Sequence, residues 1–581
     1  MAVENLITDH IDIWTSAVKT KSTSGRGNSN KLELYGVKKL RELILDLAVR
    51  GKLVPQDPND EPASVLLERI AAEKAQLVKD KKIKKPKALP PINDNKPFQI
   101  PNNWGWSQLG FLTNYGVCDK LEPKDASPST WVLELEDVEK YTSRLLKKVR
   151  FEERVFKSTK NSFQKNDVIY GKLRPYLDKV LVADEDGACT TEMIPIRGYI
   201  GLMPEFIRLV LKTPYFIEYA NTSTHGMNLP RMGTDKARAA LFPLAPLNEQ
   251  HRIVAKVDEL MTLCDQLEQQ TEASIEAHQV LVTTLLDTLT NSADADELMQ
   301  NWARISEYFD TLFTTEESID QLKQTILQLA VMGKLVPQDP SDEPAAELLK
   351  RIAEEKAQLV KEKKIKKEKA LPPISEDEKP FELPNGWGFA HMQDLCELIT
   401  DGTHQTPKYT DTGRPFISAQ CVKPFRFMPE NCRYVSEEHY QAYIKNRNPE
   451  FRDILLSRVG AGIGEAAMID TDLEFAIYVS TGLLKPHKSS VMSEYLVLWL
   501  NSPLGRGFSE RNTLGKGVSQ GNLNLSLIRA FTVSLPPLQE QKRIIEQVNK
   551  LSDLCDLLKE RLQSVQLTQL SLTDVITEQV V

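Results

Sequence analysis

Two stretches of the chain carry apolar residues at alternating steps of four and three. In the first, Ile253, Val257, Leu260, Cys264 and Leu267 keep this spacing until Thr271 and Ser274 interrupt it. In the second, Ile544, Val548, Leu551, Cys555, Leu558, Leu562 and Val565 sustain it over three heptads. A period of about 3.5 residues keeps one stripe of a helix facing a partner, so both stretches predict the seam of a coiled coil. Helical periodicity also covers Val37 to Val49 and Ile319 to Val331. Two more helices are expected with Pro62 and Pro344 as first helical residues, behind the acidic pairs Asp60-Glu61 and Asp342-Glu343 that suit the positive end of a helix dipole. They run through LLERIAAEKAQLV and LLKRIAEEKAQLV, end in Lys-rich turns and give way to the extended KALPPI. These parts read as helical throughout, with a flexible loop at Lys21 to Asn30 and a join between halves at Asn291 to Glu297.

A different pattern fills the remainder. WVLEL (Trp131 to Leu135), DVIYGKL (Asp167 to Leu173), DILLSRV (Asp453 to Val459) and FAIYV (Phe475 to Val479) are β-branched or aromatic runs broken by Gly, Pro and Asn. They predict mixed globules with strong β character.

The two patterns occur twice, in the same order. Leu47 to Ile92 and Leu329 to Ile374 are identical at 38 of 46 positions with a constant offset of 282. FQIPNNWGW at Phe98 and FELPNGWGF at Phe381 echo each other, and the seams open with PLNEQHRI at Pro246 and PLQEQKRI at Pro537. The intervening inserts, 153 and 162 residues long, share only scattered short patterns. Two like frames therefore carry two unlike domains. The expected divisions are a helical region 1–92, a first globule 93–245, a central helical region 246–374, a second globule 375–536 and a closing helical region 537–581. The fold class is mixed α/β of the α+β kind, a pseudo-two-fold tandem repeat whose globules are joined by long antiparallel coiled-coil helices.

Composition narrows the function. A length of 581 residues suits roughly three or four domains, and mean hydropathy of −0.35 is ordinary for a folded soluble protein. Met1 to His10 has neither the basic start nor the apolar run of a signal peptide, and no apolar run reaches the ~18 residues of a membrane span, so a cytoplasmic location is expected. Seven scattered cysteines form no CxxC, which points to buried thiols rather than disulfides or zinc. The net charge of −8 argues at face value against a nucleic-acid partner.

Catalytic chemistry is hard to find. No G-x-x-x-x-G-K-[ST] phosphate loop occurs, and GAGIG at Gly460 to Gly464 lacks the spacing of a dinucleotide fingerprint and reads as a tight strand-to-strand turn. No HExxH or Cys/His ligand set is present, so no metal is expected. LPPI and LPPL lack the polar residue of an amino-group methyltransferase motif.

With PLxEQxRI and GKLVPQDP each occurring twice, the IPxxW-like entry to each insert and TWVLELEDVEK at Thr130 to Lys140, the sequence resembles the specificity subunits of type I restriction-modification systems, in particular the subfamily with long amino-terminal and central conserved regions. The resemblance covers nearly the whole chain. It implies that each insert is a target recognition domain reading one half of a split double-stranded DNA site. It further implies that the frames fix the spacer and dock two modification subunits, that restriction subunits join through the complex, and that the chain itself is not catalytic. S-adenosylmethionine would belong to the modification partner, ATP and Mg to the restriction partner, and no cofactor to this chain.

On that resemblance, polar Gly-containing stretches before each seam become candidate DNA contacts, contributing Arg231, Lys236 and Arg238 in the first insert and Arg506, Arg511, Lys516, Gln520 and Asn522 in the second. Lys172 and Arg174 in GKLRP, with Arg458 in the corresponding SRVG, are a second set. Thr403, His404, Gln405 and Lys408 in DGTHQTPKY are a third, although for His404 alone a plain surface loop is the preferred reading. The basic runs Lys79 to Lys87 and Lys361 to Lys369 fit DNA contact, a solvated helix end or a partner surface equally well. A coiled-coil scaffold without DNA reading, or a chain that modifies DNA by itself, are the alternatives.

If the helices act as a ruler, four residues inserted near Gln270 add about 6 Å, close to two base pairs, at ~1.5 Å per helical residue. Methylation mapping is expected to show a longer non-specific spacer, and an unchanged spacer refutes the ruler.

Overall fold

The computed structural model describes residues 3–21, 31–226, 228–405, 407–445, 447–514 and 521–580; most of the expected loop at Lys21 to Asn30 lies outside the described residues. The chain divides into two units, Met1–Ser274 with Val565–Val581, and Ile275–Ser564.

Both units follow one plan. The near-segment helices are Tyr35–Val49 and Ala63–Lys79 in the first and Glu316–Val331 and Ala345–Lys361 in the second. Pro62 and Pro344 are caps rather than first helical residues, with extended ψ of 148° and 147°. The amides that follow them donate to the carbonyls of Asn103 and Gly386. That bond satisfies a donor left open at the helix start and holds the entering chain extended. Lys81 and Lys363, both at φ 59°, end the helices in the left-handed region. The frames are not helical throughout: Lys19–Lys21 pairs with Lys31–Glu33 as a ribbon, and the Pro-containing segments after Lys82 and Lys364 run without regular structure.

The long helices are Leu247–Thr290 and Leu538–Val580. The passage from one unit to the other lies inside them, at Ser274/Ile275 and Ser564/Val565. Asn291 to Glu297 is not that join; it opens the helix Ala295–Glu307, whose start is capped by Asp294 accepting from the Glu297 amide at 2.8 Å. Ile253, Val257, Leu260, Cys264, Ile544, Val548 and Cys555 are buried, and Leu267, Leu551, Leu558 and Leu562 half-buried. Val565 is 52% exposed, because it stands just past the crossing and beyond the cluster that covers its predecessors.

The second seam is filled by the near-segment helix of its own unit. Lys323 pairs with Asp556 and Lys559 with Asp320, both at 2.5 Å, and Gln563 donates to Glu316 at 3.0 Å. As one helix ascends from 316 to 323 its partner descends from 563 to 556, so the pair is antiparallel. Val282, Leu286 and Leu289, from the end of the first long helix, join the same cluster. Unit one repeats the scheme. Arg41 pairs with Asp265 and Glu268 at 2.6 and 2.7 Å, and Tyr35 donates to Asp574, near the end of the second long helix, at 2.7 Å.

Each insert enters and leaves by paired strands, Gly105–Gln108 with Leu241–Leu244 and Gly388–His391 with Thr532–Leu535. The first insert holds a three-stranded sheet around Val168–Gly171 and a four-stranded sheet that includes Trp131–Leu133; the second holds two four-stranded sheets around Ile454–Ser457 and Arg414–Ile417. Gly460 to Gly464 is a turn between the strands Ile454–Ser457 and Ala466–Met468.

The PLxEQxRI motif ties these parts together. In unit one Glu249, fully buried, accepts from Trp104 Nε1 at 2.9 Å and Gln56 at 2.5 Å. Gln250 accepts from the Met203 amide at 3.1 Å, and Arg252 donates to Asp60 at 2.5 Å. In unit two Glu540 accepts from Gln338 at 3.2 Å, Gln541 from the Met492 amide at 2.9 Å, and Arg543 donates to Asp342 at 2.6 Å. Burial pushes both glutamates above the ordinary carboxyl range against the pull of these donors, while the Arg252 guanidinium holds Asp60 below it.

Glu249→Ala strands two donors in a closed site and is expected to cost about 2–3 kcal/mol of stability in urea unfolding, with Glu249→Gln losing less; equal stability of all three chains contradicts the junction role.

His487 is buried without a hydrogen bond to either ring nitrogen. Burial holds its pKa below 6.5, against the pull of Glu355. The folded chain thus keeps it neutral where the unfolded chain protonates, so its contribution is full above about pH 6.5 and lost as the pH falls below that value. The wild type is expected to lose more melting temperature between about pH 7 and 5.5 than His487→Gln, and parallel profiles refute this.

Candidate nucleic-acid interface

In the first insert the strand Val168–Gly171 runs on into Lys172, whose amide donates to the Glu192 carbonyl and whose carbonyl accepts from Met232, both at 3.0 Å. Leu173 then bridges Arg231, and Arg174, left-handed at φ 51°, donates its amide to Pro230 at 2.7 Å. The strand end is thereby joined to a hairpin, Thr224–His225 with Arg231–Met232. The second insert builds the same junction. Past the strand Ile454–Ser457, the Arg458 carbonyl accepts from Leu523 at 2.9 Å and Val459 bridges Asn522, within a hairpin of Thr513–Leu514 and Asn522–Leu523. Two of the candidate sets thus converge in each insert.

Their side chains differ in availability. Arg174 and Lys236 are exposed and Lys172 half-buried, and none has a side-chain hydrogen bond or ion pair among the described residues. Arg231 is paired with Glu192 at 2.9 Å, and Arg238 donates to the Lys87 carbonyl at 3.0 Å. Arg458 is no surface reader: it is 5% exposed, ion-paired with Asp401, and donates to the carbonyls of Leu523 at 2.9 Å and Val479 at 3.0 Å. A buried guanidinium has to spend its donors on protein acceptors, and this one locks the hairpin to the sheet. Thr403 is buried as well, its amide donating to Ile477 at 3.0 Å and its hydroxyl accepting from the Gln405 amide at 3.2 Å. That arrangement leaves His404, Gln405 and Lys408 exposed, with His404 Nε2 at 3.2 Å from Asp401. Arg511 is exposed with its guanidinium 5.0 Å from the Phe508 ring, Arg506 is half-buried, and Asn522 is exposed on the hairpin. Lys516 and Gln520 lie outside the described residues.

Sequence reasoning overlooked Asp401, which both Arg458 and His404 face, and Arg447, which donates to the carbonyls of Asp401 and Gly402 at 3.2 and 2.5 Å. It also overlooked Arg433, stacked 4.5 Å over the exposed ring of Tyr409. Among the described residues no group of three or more His, Cys, Asp or Glu is placed to hold a metal, and no helix is long and apolar enough to cross a membrane.

Comparison with known proteins agrees with this layout. Residues 384–567 match the family model described as the type I restriction modification DNA specificity domain. The chain is 41% identical to the type I restriction enzyme EcoAI specificity subunit of Escherichia coli over 607 residues, covering 100% of this chain and 99% of that one. It is also 41% identical to the EcoEI specificity subunit of the same organism over 606 residues, with the same coverage. A solved chain from work on complex assembly and conformational transition of the type I R-M system shares the fold, at a TM-score of 0.51 and 19% identity over 83% of this chain and 99% of that chain. A full-length match at this identity, on a chain of two like frames and two unlike inserts, places the protein in the family of type I restriction-modification specificity subunits.

Proposed function

We propose that the chain selects the DNA sequence for a type I restriction-modification complex, each insert reading one half of an asymmetric, bipartite site. The observation that carries this reading is the repeated junction: one strand end joined to one hairpin, at matching places in two inserts of unlike sequence. Like junctions holding different exposed side chains suit two different half-sites instead of a palindrome. Arg174, Lys236, Lys408 and Arg511 supply charge for phosphates, and His404, Gln405 and Asn522 donors and acceptors for base edges. The frames fix the spacer and dock two modification subunits, which bring S-adenosylmethionine; restriction subunits bring ATP and Mg. The chain itself carries no cofactor and no catalytic residue, and it works in the cytoplasm.

Methylation mapping in cells carrying the chain with its modification partner tests this directly. The unaltered chain is expected to give two unlike half-sites. Replacing His404 and Gln405 together by Ala is expected to relax one half alone, at about 1–3 kcal/mol for each base edge no longer read. Relaxation of both halves together, or a map indifferent to the change, overturns the assignment.

A further inference from the structure

The near segments carry a feature that the reading of half-sites does not use. Lys79 to Lys87 holds six lysines in nine residues, and Lys361 to Lys369 holds six at the same positions, offset by 282. All are exposed. Two of the three residues between them vary, Asp80 against Glu362 and Pro86 against Glu368, while Ile83 matches Ile365 and every lysine is kept.

A favourable helix end does not account for these runs. The helices stop at Lys79 and Lys361, so five lysines of each run lie past the helix, and the dipole fades within the last turn. Intramolecular pairing accounts for little more. Lys87 meets Asp235 at 2.7 Å and Lys364 meets Glu362 at 2.8 Å. Lys81, Lys84 and Lys85, like Lys363, Lys366 and Lys367, have no side-chain hydrogen bond or ion pair among the described residues.

Position is the informative part. In unit one the run is fastened to the root of the reader hairpin. The Lys87 carbonyl accepts from Arg238, its ammonium meets Asp235, and the Pro90 carbonyl accepts from Gln108 at 3.0 Å. Asp235 and Arg238 lie on the short helix Thr234–Ala239, which follows the hairpin strand Arg231–Met232 after Gly233 alone. In unit two the Lys369 carbonyl accepts from Gln393 at 3.1 Å, and Glu368 faces Arg529 at 3.6 Å. Arg529 ends the helix Leu525–Arg529, which again directly follows the hairpin strand Asn522–Leu523.

We propose that the two lysine runs grip DNA phosphates, one beside each reader hairpin, as the sequence-independent part of binding; the proposal rests on the two-reader function above. Phosphates present the same chemistry at both half-sites, whereas the bases do not. The part of each unit that touches the backbone should therefore be alike and the part that reads should differ. The runs and the hairpins stand in that relation. An acidic face of a modification subunit is the competing occupant.

The test uses the full chain assembled with its modification subunits, unaltered or carrying Lys81→Gln, Lys84→Gln and Lys85→Gln, or Lys363→Gln, Lys366→Gln and Lys367→Gln. Affinity for the duplex identified by methylation mapping is measured across about 50–300 mM salt, with assembly followed by size-exclusion chromatography. The slope of log K against log salt is expected to flatten by about 0.9 for each phosphate no longer neutralised, with assembly intact and both methylated half-sites unchanged. An unchanged slope overturns the proposal, and so does a flattened slope confined to preparations that have shed modification subunits, which assigns the runs to a protein surface. Failure of the underlying reading shows separately, as an unaltered complex that does not prefer the mapped duplex over a scrambled one.

Discussion

The structure hangs on the first turn of each long helix. In PLxEQxRI the Glu and Arg stand three residues apart and so share a helix face, while the Gln between them points about 100° away. Glu249 and Arg252 take hold of Gln56 and Asp60 of the near segment, Glu249 also takes Trp104 at the insert entry, and Gln250 takes the Met203 amide inside the insert. One helical turn therefore fixes frame, entry strand and globule at a single root. Glu540, Gln541 and Arg543 do this for near segment and insert in the second unit. Burying a carboxylate is costly unless its acceptors are filled, so partial assembly of this root is disfavoured. Each insert is thus fastened to the start of the long helix that follows it.

That root permits the inserts to diverge. It uses side chains from the frame but mostly backbone from the globule, the amides of Met203 and Met492 and the carbonyls of Ala245 and Pro536. A backbone bond survives a change of side chain. The insert can then alter nearly all its residues while keeping its mounting, and the reader junctions show the same economy: the Lys172 and Arg458 carbonyls accept from the corresponding hairpin amides, Met232 and Leu523, although one side chain is half-buried and the other sealed against Asp401.

Much of this was legible in sequence because it is periodic or repeated. The 4-3 spacing located both long helices, and the polar Thr271 and Ser274 that break it stand where the first helix passes from one unit to the other. What fills the seam was not legible. A heptad pattern announces a stripe without naming its partner, and in the second unit the partner is the short near-segment helix, matched through Lys323, Asp320 and Glu316 more than two hundred residues away. The burial of Arg458 was hidden for the same reason, since it depends on Asp401, 57 residues distant. Pro62 misled by one position because a helix start and its cap share φ and differ only in ψ, which the Ala63 to Asn103 bond decides. Among the candidate site residues, sequence could not sort exposed groups such as His404 from buried ones such as Arg458.

The acidic balance of the chain does not oppose a polyanionic partner. Screening limits an exposed charge to about 8 Å at physiological salt, so a phosphate responds to neighbouring side chains and hardly to the total of −8. Many carboxylates are already committed: Asp60, Asp342, Glu192, Asp401 and Asp265 each face an arginine within their own unit. Such pairs are close to neutral when viewed from a few ångströms away. Past each near-segment helix, Lys81, Lys84, Lys85, Lys363, Lys366 and Lys367 have no such partner among the described residues, whereas Lys87 and Lys364 are paired. The sign of the whole chain is therefore a poor guide to what its exposed basic segments attract.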